Sequence, residues 1–351
     1  MAQFSLATFN LYQYAAPGTY WYDRESGNSN SEAKWALKQD FILRTLADLD
    51  ADIVGFQEVF SREEFRALAT AAGYPNVVFG GDPAFETEED GTVVWQGPVV
   101  ALASRFPILS AGPLAADPSV EPDGLLAPDF DFRRQIIEAE IEVPGLAQPL
   151  VVYCAHLKSQ GAFVDRDRVA AFGGWSERFR DHLSQRAQAD ASQVIRRAGE
   201  AIMLYEAAMK RMATDRDLPL AVLGDLNDEP GSFTLRILTQ NEDVPYIAGT
   251  RYQALDNSEK SNRYTWQLYS TSGLGAPQGL GLTPTHVGWM HASVLDYVLV
   301  SNGLNRRNPR GPVADITYDV FNSHHWDPES DSKETSDHAP VRAIFELKSE
   351  A

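Results

Sequence analysis

Six apolar segments that end in, or enclose, a polar or ionisable residue constrain the fold of this chain more than any other feature of its sequence. The clearest is the apolar run at 218–222, short enough for a buried strand, which is followed by Asp225, Asn227 and Asp228. Asp225 and Asn227 are two residues apart on an extended backbone and therefore project to one face of the sheet. They can place a carboxylate and an amide in one small volume, or simply form a turn. Asp228 points to the opposite face, and we expect it to serve only the turn.

The same arrangement recurs from the first predicted strand to the last. The other polar residues at strand ends are Asn10, Glu58, His156, Asp296 and the pair Asp337 and His338. A turn requires neither a glutamate after an apolar strand nor an aspartate within one, so the set as a whole indicates a functional site. Carboxylates, amides and imidazoles without a thiolate suit Mg²⁺, Mn²⁺ or Ca²⁺, whereas a structural zinc would require Cys or more His.

Hydrophobic periodicity predicts a mixture of strands and helices. Strands are predicted at 4–11, 53–56, 76–79, 93–104, 135–143, 149–155, 218–222, 264–268, 294–300 and 339–346, and helices at 32–49, 61–72, 176–212 and 233–239. The segment 106–132 is predicted to be an irregular surface excursion. Strands and helices alternate at first, but several later strands follow one another without a helix. This pattern favours an α+β or layered architecture over a doubly wound one, and the absence of repeats and linkers predicts a single domain over 1–351.

Two long loops and one helix face carry further expectations. The loop 12–31 is too long for a simple connection and is a candidate binding loop, as is the Gly-rich loop 270–291 with His286 and His291. Ser31 can cap the helix at 32–49. The apolar face of that helix is predicted to consist of Trp35, Leu37, Phe41, Ile42, Leu46 and Leu49.

Charge and cysteine content restrict the partners of the chain. Thirty Lys and Arg residues against 49 Asp and Glu residues, in a chain of 351, give a formal net charge of -19. The protein as a whole therefore repels polyanions, and no basic stripe of the kind that binds nucleic acid is present. The single cysteine, Cys154, cannot form an intramolecular disulfide. With neither a signal-like start nor an apolar run long enough for a bilayer, we expect a soluble, cytoplasmic monomer, with export left open.

The polar strand ends, taken as an ordered set, resemble those of the endonuclease/exonuclease/phosphatase superfamily, which contains deoxyribonuclease I, abasic-site endonucleases, neutral sphingomyelinases and inositol polyphosphate 5-phosphatases. The matching blocks are Ala7-Thr8-Phe9-Asn10, Ile53-Val54-Gly55-Phe56-Gln57-Glu58, His156-Leu157-Lys158-Ser159, Gly224-Asp225-Leu226-Asn227, Leu295-Asp296-Tyr297 and Ser336-Asp337-His338. They follow the family's order over essentially the whole chain, and the His156 block is most similar to bacterial, nuclease-like members. The resemblance implies an α+β fold, a four-layered α/β/β/α sandwich of two mixed sheets flanked by helices, with the active site at one end.

The resemblance also implies roles for these residues. Glu58 would be the principal ligand of a Mg²⁺ or Mn²⁺ ion, with Ca²⁺ as a further option, and Asn10 and Asp337 would lie close to it. Asp225 would orient or deprotonate the attacking water, and Asn227 would hold the phosphoryl group.

Two histidines and three cations complete the implied site. His338, polarised by Asp296, would act as the base or stabilise charge in the transition state. His156 would donate to a phosphate oxygen or protonate the leaving group, although the sequence offers it no carboxylate partner of the kind found in deoxyribonuclease I. Lys158 would neutralise charge nearby. Arg133 and Arg134 are candidates to reach a substrate phosphate, or are solvated charges at the start of a strand.

Three functions are compatible with this sequence. The first is a metal-dependent phosphodiesterase acting on nucleic acid, and the second is a phosphoesterase for a smaller organic phosphate or a lipid head group. The third is an inactive relative used for binding, which would be expected to have lost part of the polar set. No part of that set is missing here. The net charge argues against tight non-specific DNA binding, unless a local basic patch overrides it.

Overall fold

The computed structural model describes residues 2–120, 124, 126, 130–275, 282–288, 291–328 and 330–349. In chain order the strands are β1 (Gln3–Tyr14), β2 (Thr19–Trp21), β3 (Ile53–Val59), β4 (Asn76–Phe79), β5 (Ala84–Thr87), β6 (Val93–Gly97), β7 (Val99–Ser104), β8 (Ile108–Pro113), β9 (Ile137–Ile141), β10 (Leu150–His156), β11 (Leu220–Asp225), β12 (Tyr246–Ile247), β13 (Thr250–Arg251), β14 (Tyr269–Ser270), β15 (His286–Val287), β16 (Ala292–Ser293), β17 (Asp296–Val300), β18 (Val313–Val320) and β19 (Val341–Leu347). The α-helices are α1 (Glu32–Leu49), α2 (Arg62–Ala71), α3 (Arg166–Ala170), α4 (Trp175–Met212), α5 (Phe233–Thr239), α6 (Asn257–Thr265) and α7 (Thr271–Gly275).

Two six-stranded mixed sheets form the centre of the molecule. Sheet I has the order β18-β19-β1-β3-β7-β4, and sheet II has the order β14-β17-β11-β10-β9-β8. In sheet I, β1 and β3 are parallel and the other neighbours are antiparallel. In sheet II, β10 and β11 are the parallel pair. β3, β10 and β11 end at, or one residue after, the polar residues that the sequence marks, namely Glu58, His156 and Asp225. β1 continues past Asn10 to Tyr14, with an irregularity in its pairing with β3 after Asn10.

Three apolar layers hold the sheets and helices together. The inner faces of the two sheets pack on each other through residues such as Leu6, Val152 and Leu223. The outer face of sheet I packs on α1 and α2, and the outer face of sheet II packs on α4 and α5. The alternation in β1 explains the division, because Leu6 points between the sheets and Phe9 points towards the helices. This arrangement confirms the predicted four-layered α/β/β/α sandwich.

Several predicted elements differ from the structure for identifiable reasons. The strand predicted at 93–104 is divided at Pro98 into β6 and β7, which belong to different sheets, because proline has no N–H to donate to a ladder. The segment 106–132 is not wholly irregular, since it contains β8 at the edge of sheet II. The strand predicted at 264–268 is wrong. Asp256 and Glu259 form a capping box that begins α6, and this signal was present in the sequence.

The predicted apolar face of α1 needs one correction. Leu37 is 50% exposed, whereas Lys38 is 1% exposed and occupies the buried stripe between Trp35 and Ile42. The helix starts at the expected cap, Ser31, whose hydroxyl accepts from the backbone N of Lys34. A buried lysine in an apolar stripe requires local partners, which are described below. Elsewhere, no helix of the described ranges is long and apolar enough to cross a membrane.

Candidate active site

The register of sheet II aligns three of the predicted site residues in one row. His156 is paired with Asp225 across β10 and β11, and Asp225 is paired with Asp296 across β11 and β17. β10 and β11 end at this row, whereas β17 begins there. The sequence predicted Asp296 within a strand, but it is the first residue of β17. Its side chain is fully buried, as expected of a group held inside the sandwich.

Asp225 is the centre of the hydrogen-bonding network and connects the two sheets. Its Oδ2 accepts from Nδ2 of Asn10, on sheet I, at 3.0 Å, and its Oδ1 accepts from the backbone N of Asn227 at 2.8 Å. Nε2 of His156 and Nε2 of His338 lie 3.5 and 3.7 Å from the same Oδ2. Burial raises the pKa of the Asp225 carboxyl to about 7, although His338, Asn227 and Asn10 oppose the rise.

His338 is held between two carboxylates. Its Nδ1 lies 2.8 Å from Oδ2 of Asp296, which also accepts from the Thr285 hydroxyl at 2.7 Å. Its Nε2 points towards Asp225. Burial lowers the pKa of His338, but the charges of Asp296 and Asp225 outweigh burial and place that pKa well above its ordinary value. The imidazole is therefore a cation at neutral pH.

His156 has the opposite electrostatic character. Burial, together with the nearby charges of Arg134 and His338, lowers its pKa well below the ordinary value. Its Nδ1 has no hydrogen-bonding partner among the described residues. The imidazole is therefore neutral at neutral pH and can donate a hydrogen bond but holds no extra proton to release.

Two of the site residues have a strained backbone. Glu58 and Asn227 have backbone φ angles of 63° and 53°, in the left-handed region that residues other than glycine rarely adopt. Nδ2 of Asn227 donates to the backbone O of Leu157 at 3.0 Å, and Oε2 of Glu58 accepts from the backbone N of Gln13 at 2.9 Å. Strain of this kind persists where surrounding contacts hold a side chain in a required direction.

Glu58 and Asp337 provide oxygen atoms that suit a divalent cation. Burial and the charge of Glu58 raise the pKa of Asp337 to about 6, against the opposing effect of His338. The two carboxylates repel each other, and the buried Oδ1 of Asp337 accepts no hydrogen bond from a described residue. Both features suit the binding of a hard cation such as Mg²⁺. Asn10 also lies here, with its Oδ1 accepting from the backbone N of Tyr12 and its Nδ2 donating to Asp225.

Histidine nitrogens also approach this position. In the described part of the chain, one ligand atom each from His286, Asp337 and His338 lie within 4.8 Å of one another, as do those of Asp225, Asp296 and His338. In the second group, Nδ1 of His338 and Oδ2 of Asp296 already form a hydrogen bond at 2.8 Å, which leaves no room for an ion between these two atoms. The ring of His286 packs on that of His338 with centroids 4.8 Å apart. His286 thus lies at the site. Burial and the charge of His338 lower the pKa of His286 to about 4, and the charge of the nearby His291 adds to this effect.

Lys38 is a site residue that the sequence analysis missed. Its Nζ donates to the backbone O of Thr335 at 2.8 Å and lies 5.7 Å from the centroid of the Tyr12 ring. Burial lowers the pKa of Lys38 to about 8, although the charges of Asp337 and Glu58 oppose this effect. The available signal was a lysine in step with Trp35 and Ile42 on the apolar face of a helix.

The three predicted substrate-binding cations lie beside this network, in a cavity of about 460 Å³. Arg133, Arg134 and Lys158 line it together with Tyr22 and Phe163. Asp228, predicted to serve only the turn, also accepts from the buried Arg197 at 3.1 Å and so has a structural role in fastening α4 to this region.

The four-layered sandwich and the carboxylates, amides and imidazoles at one end of it are those of a hydrolase of phosphoric esters. The sequence model of the Endonuclease/Exonuclease/phosphatase family matches residues 7–338, and the chain belongs to this family. The resemblance found in the sequence is thereby confirmed. Enzymes of this family generally use divalent metal ions. No curated protein matches the chain at a significant level.

Solved structures with this fold include the human Nocturnin catalytic domain, the truncated TDP2 of Caenorhabditis elegans and an endonuclease/exonuclease/phosphatase from Bacteroides vulgatus. The TM-scores are 0.54, 0.52 and 0.50, and the sequence identities are 17%, 10% and 16%. The alignments cover 99%, 98% and 99% of this chain, and 95%, 97% and 100% of the respective structures. At these identities the similarity establishes the fold.

Proposed function

We propose that this protein is a phosphodiesterase that depends on Mg²⁺ or Mn²⁺ and hydrolyses a P–O bond by attack of a water molecule oriented by Asp225. The observation that carries the proposal is the set of contacts made by the buried Asp225 carboxylate. It meets the Asn10 side-chain amide, the backbone N–H of Asn227 and two imidazoles, one cationic and one neutral. A carboxyl with a pKa of about 7 can accept a proton near neutral pH, as a general base must.

The other network residues have complementary tasks in this proposal. Cationic His338, held by Asp296, stabilises the negative charge that develops on the phosphoryl oxygens, and its charge state makes it a poor base. Asn227 orients the phosphoryl group. Neutral His156 donates a hydrogen bond to a phosphate oxygen, because its lowered pKa leaves no proton to transfer to the leaving group at neutral pH.

Glu58 and Asp337, with Asn10 beside them, would hold the metal ion. When bound, a divalent ion would act as a Lewis acid on a phosphate oxygen. Lys38 fixes the loop before β19 through Thr335 and thereby positions Asp337. Ca²⁺ has the same preference for oxygen ligands and is the third metal to test.

This proposal includes two kinds of phosphate ester as substrate. The first kind is a nucleic acid. The name of the family includes both nucleases and phosphatases. A small organic phosphate is favoured by the formal net charge of -19, which opposes the approach of a long polyanion. Arg133, Arg134 and Lys158 are proposed as substrate contacts in either case.

Hydrolysis of bis(4-nitrophenyl) phosphate tests this function without assuming a natural substrate. We expect turnover with Mg²⁺ or Mn²⁺ and none with excess chelator. Asp225→Asn and Glu58→Gln are expected to lower kcat/KM by about 10² to 10⁴, the usual contribution of a positioned base or of a metal ligand.

The control for these variants is Asp319→Asn, which removes a carboxylate paired with Arg342 on sheet I, outside the network. This control should keep the wild-type rate. Rates in Asp225→Asn or Glu58→Gln equal to those of the wild type, or full activity in chelator, would show that the proposed mechanism is wrong.

A further inference from the structure

The cavity beside the network differs from the rest of the protein in its charge. The chain has 49 acidic and 30 basic residues, yet none of the described residues that line this cavity is acidic. The adjoining cavity of about 800 Å³, which shares Tyr22 and Gln96 with it, has the opposite lining of six carboxylates and Arg24. Two neighbouring cavities of opposite charge are able to select the position of an anion.

Within the described residues, no carboxylate forms a hydrogen bond or an ion pair with the side chains of Arg133, Arg134 and Lys158, although the charge of the buried Glu200 acts on Lys158 and Arg134. Nζ of Lys158 donates to the carbonyl and hydroxyl oxygens of Ser159, and Arg134 donates to the backbone O of Leu157. No hydrogen bond or ion pair of the Arg133 guanidinium occurs within the described residues, whereas Arg24 in the next cavity pairs with Glu88 and Asp90. Like charges placed together without a direct carboxylate partner repel one another, so an anion in this cavity would be bound favourably.

A buried carboxylate builds this cavity from two distant segments. Glu200, on α4 and 1% exposed, accepts from the backbone N of Arg133 at 3.0 Å and from the backbone N of Lys158 at 2.6 Å. Its oxygens thus hold the two main-chain segments from which the cations project. The burial of a carboxylate for this purpose fixes the spacing of Arg133 and Lys158 before any ligand is present.

The cavity and the catalytic network share a hydrogen-bond acceptor. The backbone O of Leu157 accepts both from Nδ2 of Asn227 and from Nη1 of Arg134. Gln160 continues the connection by donating to the backbone O of Asn227. An anion beside Arg134 would therefore be adjacent to a phosphoryl group held by Asn227. Tyr22 and Phe163, the latter 82% exposed, flank the opening with aromatic surface.

We propose that this cavity binds a second phosphate of the substrate, so that the protein prefers phosphate esters with another phosphate close to the scissile one. The inference rests on the proposed hydrolase function and specifies its substrate class. Three cations without a direct carboxylate partner, in a preformed cavity next to the reacting group, are the observation that carries it. The second phosphate is either the next one along a nucleic acid strand or the additional phosphate of a small bisphosphorylated ester.

A matched pair of chromogenic substrates tests this preference. The 4-nitrophenyl ester of thymidine 5′-phosphate has one phosphate, and the same ester with a 3′-phosphate has two. We expect the second phosphate to raise kcat/KM of the wild-type enzyme by about tenfold to a hundredfold, mainly through KM, as for a charge-assisted contact. In Arg133→Gln and in Lys158→Gln the ratio of the two kcat/KM values is expected to fall at least about fivefold.

Arg24→Gln is the matched control, because it removes the same charge from the adjoining cavity and should leave the ratio at its wild-type value. A second readout is independent of metal and turnover. Inorganic phosphate titrated into the protein in chelator should bind at least about fivefold more weakly to Arg133→Gln than to the wild type or to Arg24→Gln. Arg133→Gln and Lys158→Gln are both included, so that the test can still be made if one of them fails to fold.

The outcomes separate this inference from the function on which it rests. Hydrolysis of both esters with equal kcat/KM in the wild type overturns the second-phosphate site and leaves the hydrolase intact, whereas no hydrolysis of either ester contradicts the hydrolase itself. A single-stranded tetranucleotide cleaved with a higher kcat/KM than the bisphosphate ester identifies a nucleic acid as the source of the second phosphate. The reverse order identifies a small bisphosphorylated ester.

Discussion

Asp225 and His338 face each other at 3.7 Å, and burial makes their charges interdependent. Burial alone favours the neutral form of both groups. His338 is nevertheless a cation because Asp296 and Asp225 stabilise it, while the raised pKa of Asp225 shows that one imidazolium does not fully compensate for its burial. The pair is therefore a base next to a positive charge, and each residue needs the other.

Removal of the carboxylate behind His338 should change the pH dependence of catalysis. Asp296→Asn removes the largest effect that raises the pKa of His338, so that this pKa falls. If activity requires the imidazolium, the basic limb of the kcat/KM profile moves to lower pH by about one unit or more. Asp319→Asn, remote from the network, should keep the wild-type profile, and an unmoved basic limb in Asp296→Asn would contradict the role of His338 as a cation.

His156 should make the stability of the protein sensitive to acid. Its pKa is lowered by folding from an ordinary value near 6.5, so the unfolded chain takes up a proton that the native state does not. The free energy of unfolding therefore falls as the pH drops below about 6.5, by at most about 1.4 kcal/mol per pH unit from this group. Half-buried histidines with lowered pKa values, such as His325, act in the same direction.

A comparison of variants isolates the contribution of His156. Chemical denaturation in chelator, between pH 8 and pH 5, should show a shallower loss of stability in His156→Gln than in the wild type. The loss in Gln188→Ala, a change of an exposed residue of α4 that does not titrate, should parallel that of the wild type. Parallel curves for His156→Gln and the wild type would contradict the assignment of a neutral His156 in the native state.

At the level of elements, β3 and β10 approach each other closely where the two sheets meet. A Cβ atom added at Gly55 would lie 2.9 Å from Sγ of Cys154 and 3.1 Å from Cβ of Leu223. Gly55 is three residues before Glu58, and Cys154 is two residues before His156. The glycine thus permits the sheet contact that brings the metal-ligand candidate of sheet I to the row of sheet II.

Gly55→Ala should be destabilising, and a smaller partner should rescue it. Overpacking of a buried site costs about 1–3 kcal/mol, and here the backbone of neither sheet can move freely. Cys154→Ala removes the sulfur and should recover most of this loss in the double variant, with a non-additive cycle in urea unfolding. Equal destabilisation by Gly55→Ala with and without Cys154→Ala would exclude the sulfur as the clash.

Across the entire molecule, the negative field and the small basic cavity have opposing effects on a polyanion. The formal net charge of -19 repels a polyanion, whereas the three cations of the cavity attract it. Binding of single-stranded DNA to Asp225→Asn, measured by fluorescence anisotropy, should give a log–log slope against salt of about −2, and no steeper than about −3. Arg133→Gln should make the slope shallower by about 0.7, and Arg24→Gln should leave it unchanged. A slope near −5 would indicate phosphate contacts outside this cavity.

The resemblance of an ordered set of motifs implied the family and the order of the layers, whereas the network residues were selected from local patterns. A short apolar strand with a polar residue at its end is a property of a few consecutive residues, and side-chain alternation assigns the face. Asn10, Glu58, Asp225, Asn227 and Asp337 were selected in this way. The helix at Asn257–Thr265 was predictable too, since Asp256 and Glu259 form a recognisable capping box.

The charge states and the cavity required the folded chain. His338 and His156 are both buried, but two carboxylates make His338 a cation, whereas burial and, after it, the charge of Arg134 keep His156 neutral. These charged neighbours are distant in sequence. The strained backbone of Glu58 likewise has no local signature in the sequence. The sequence places Lys38 on the apolar face of a helix, but its contact with the loop before β19 is visible only in the folded chain. Arg133 and Lys158 lie 25 positions apart and are held together by Glu200, from a third segment. Local patterns specify the strand position and the sheet face of a residue. Long-range packing specifies the neighbours of its side chain, and these neighbours determine its charge state.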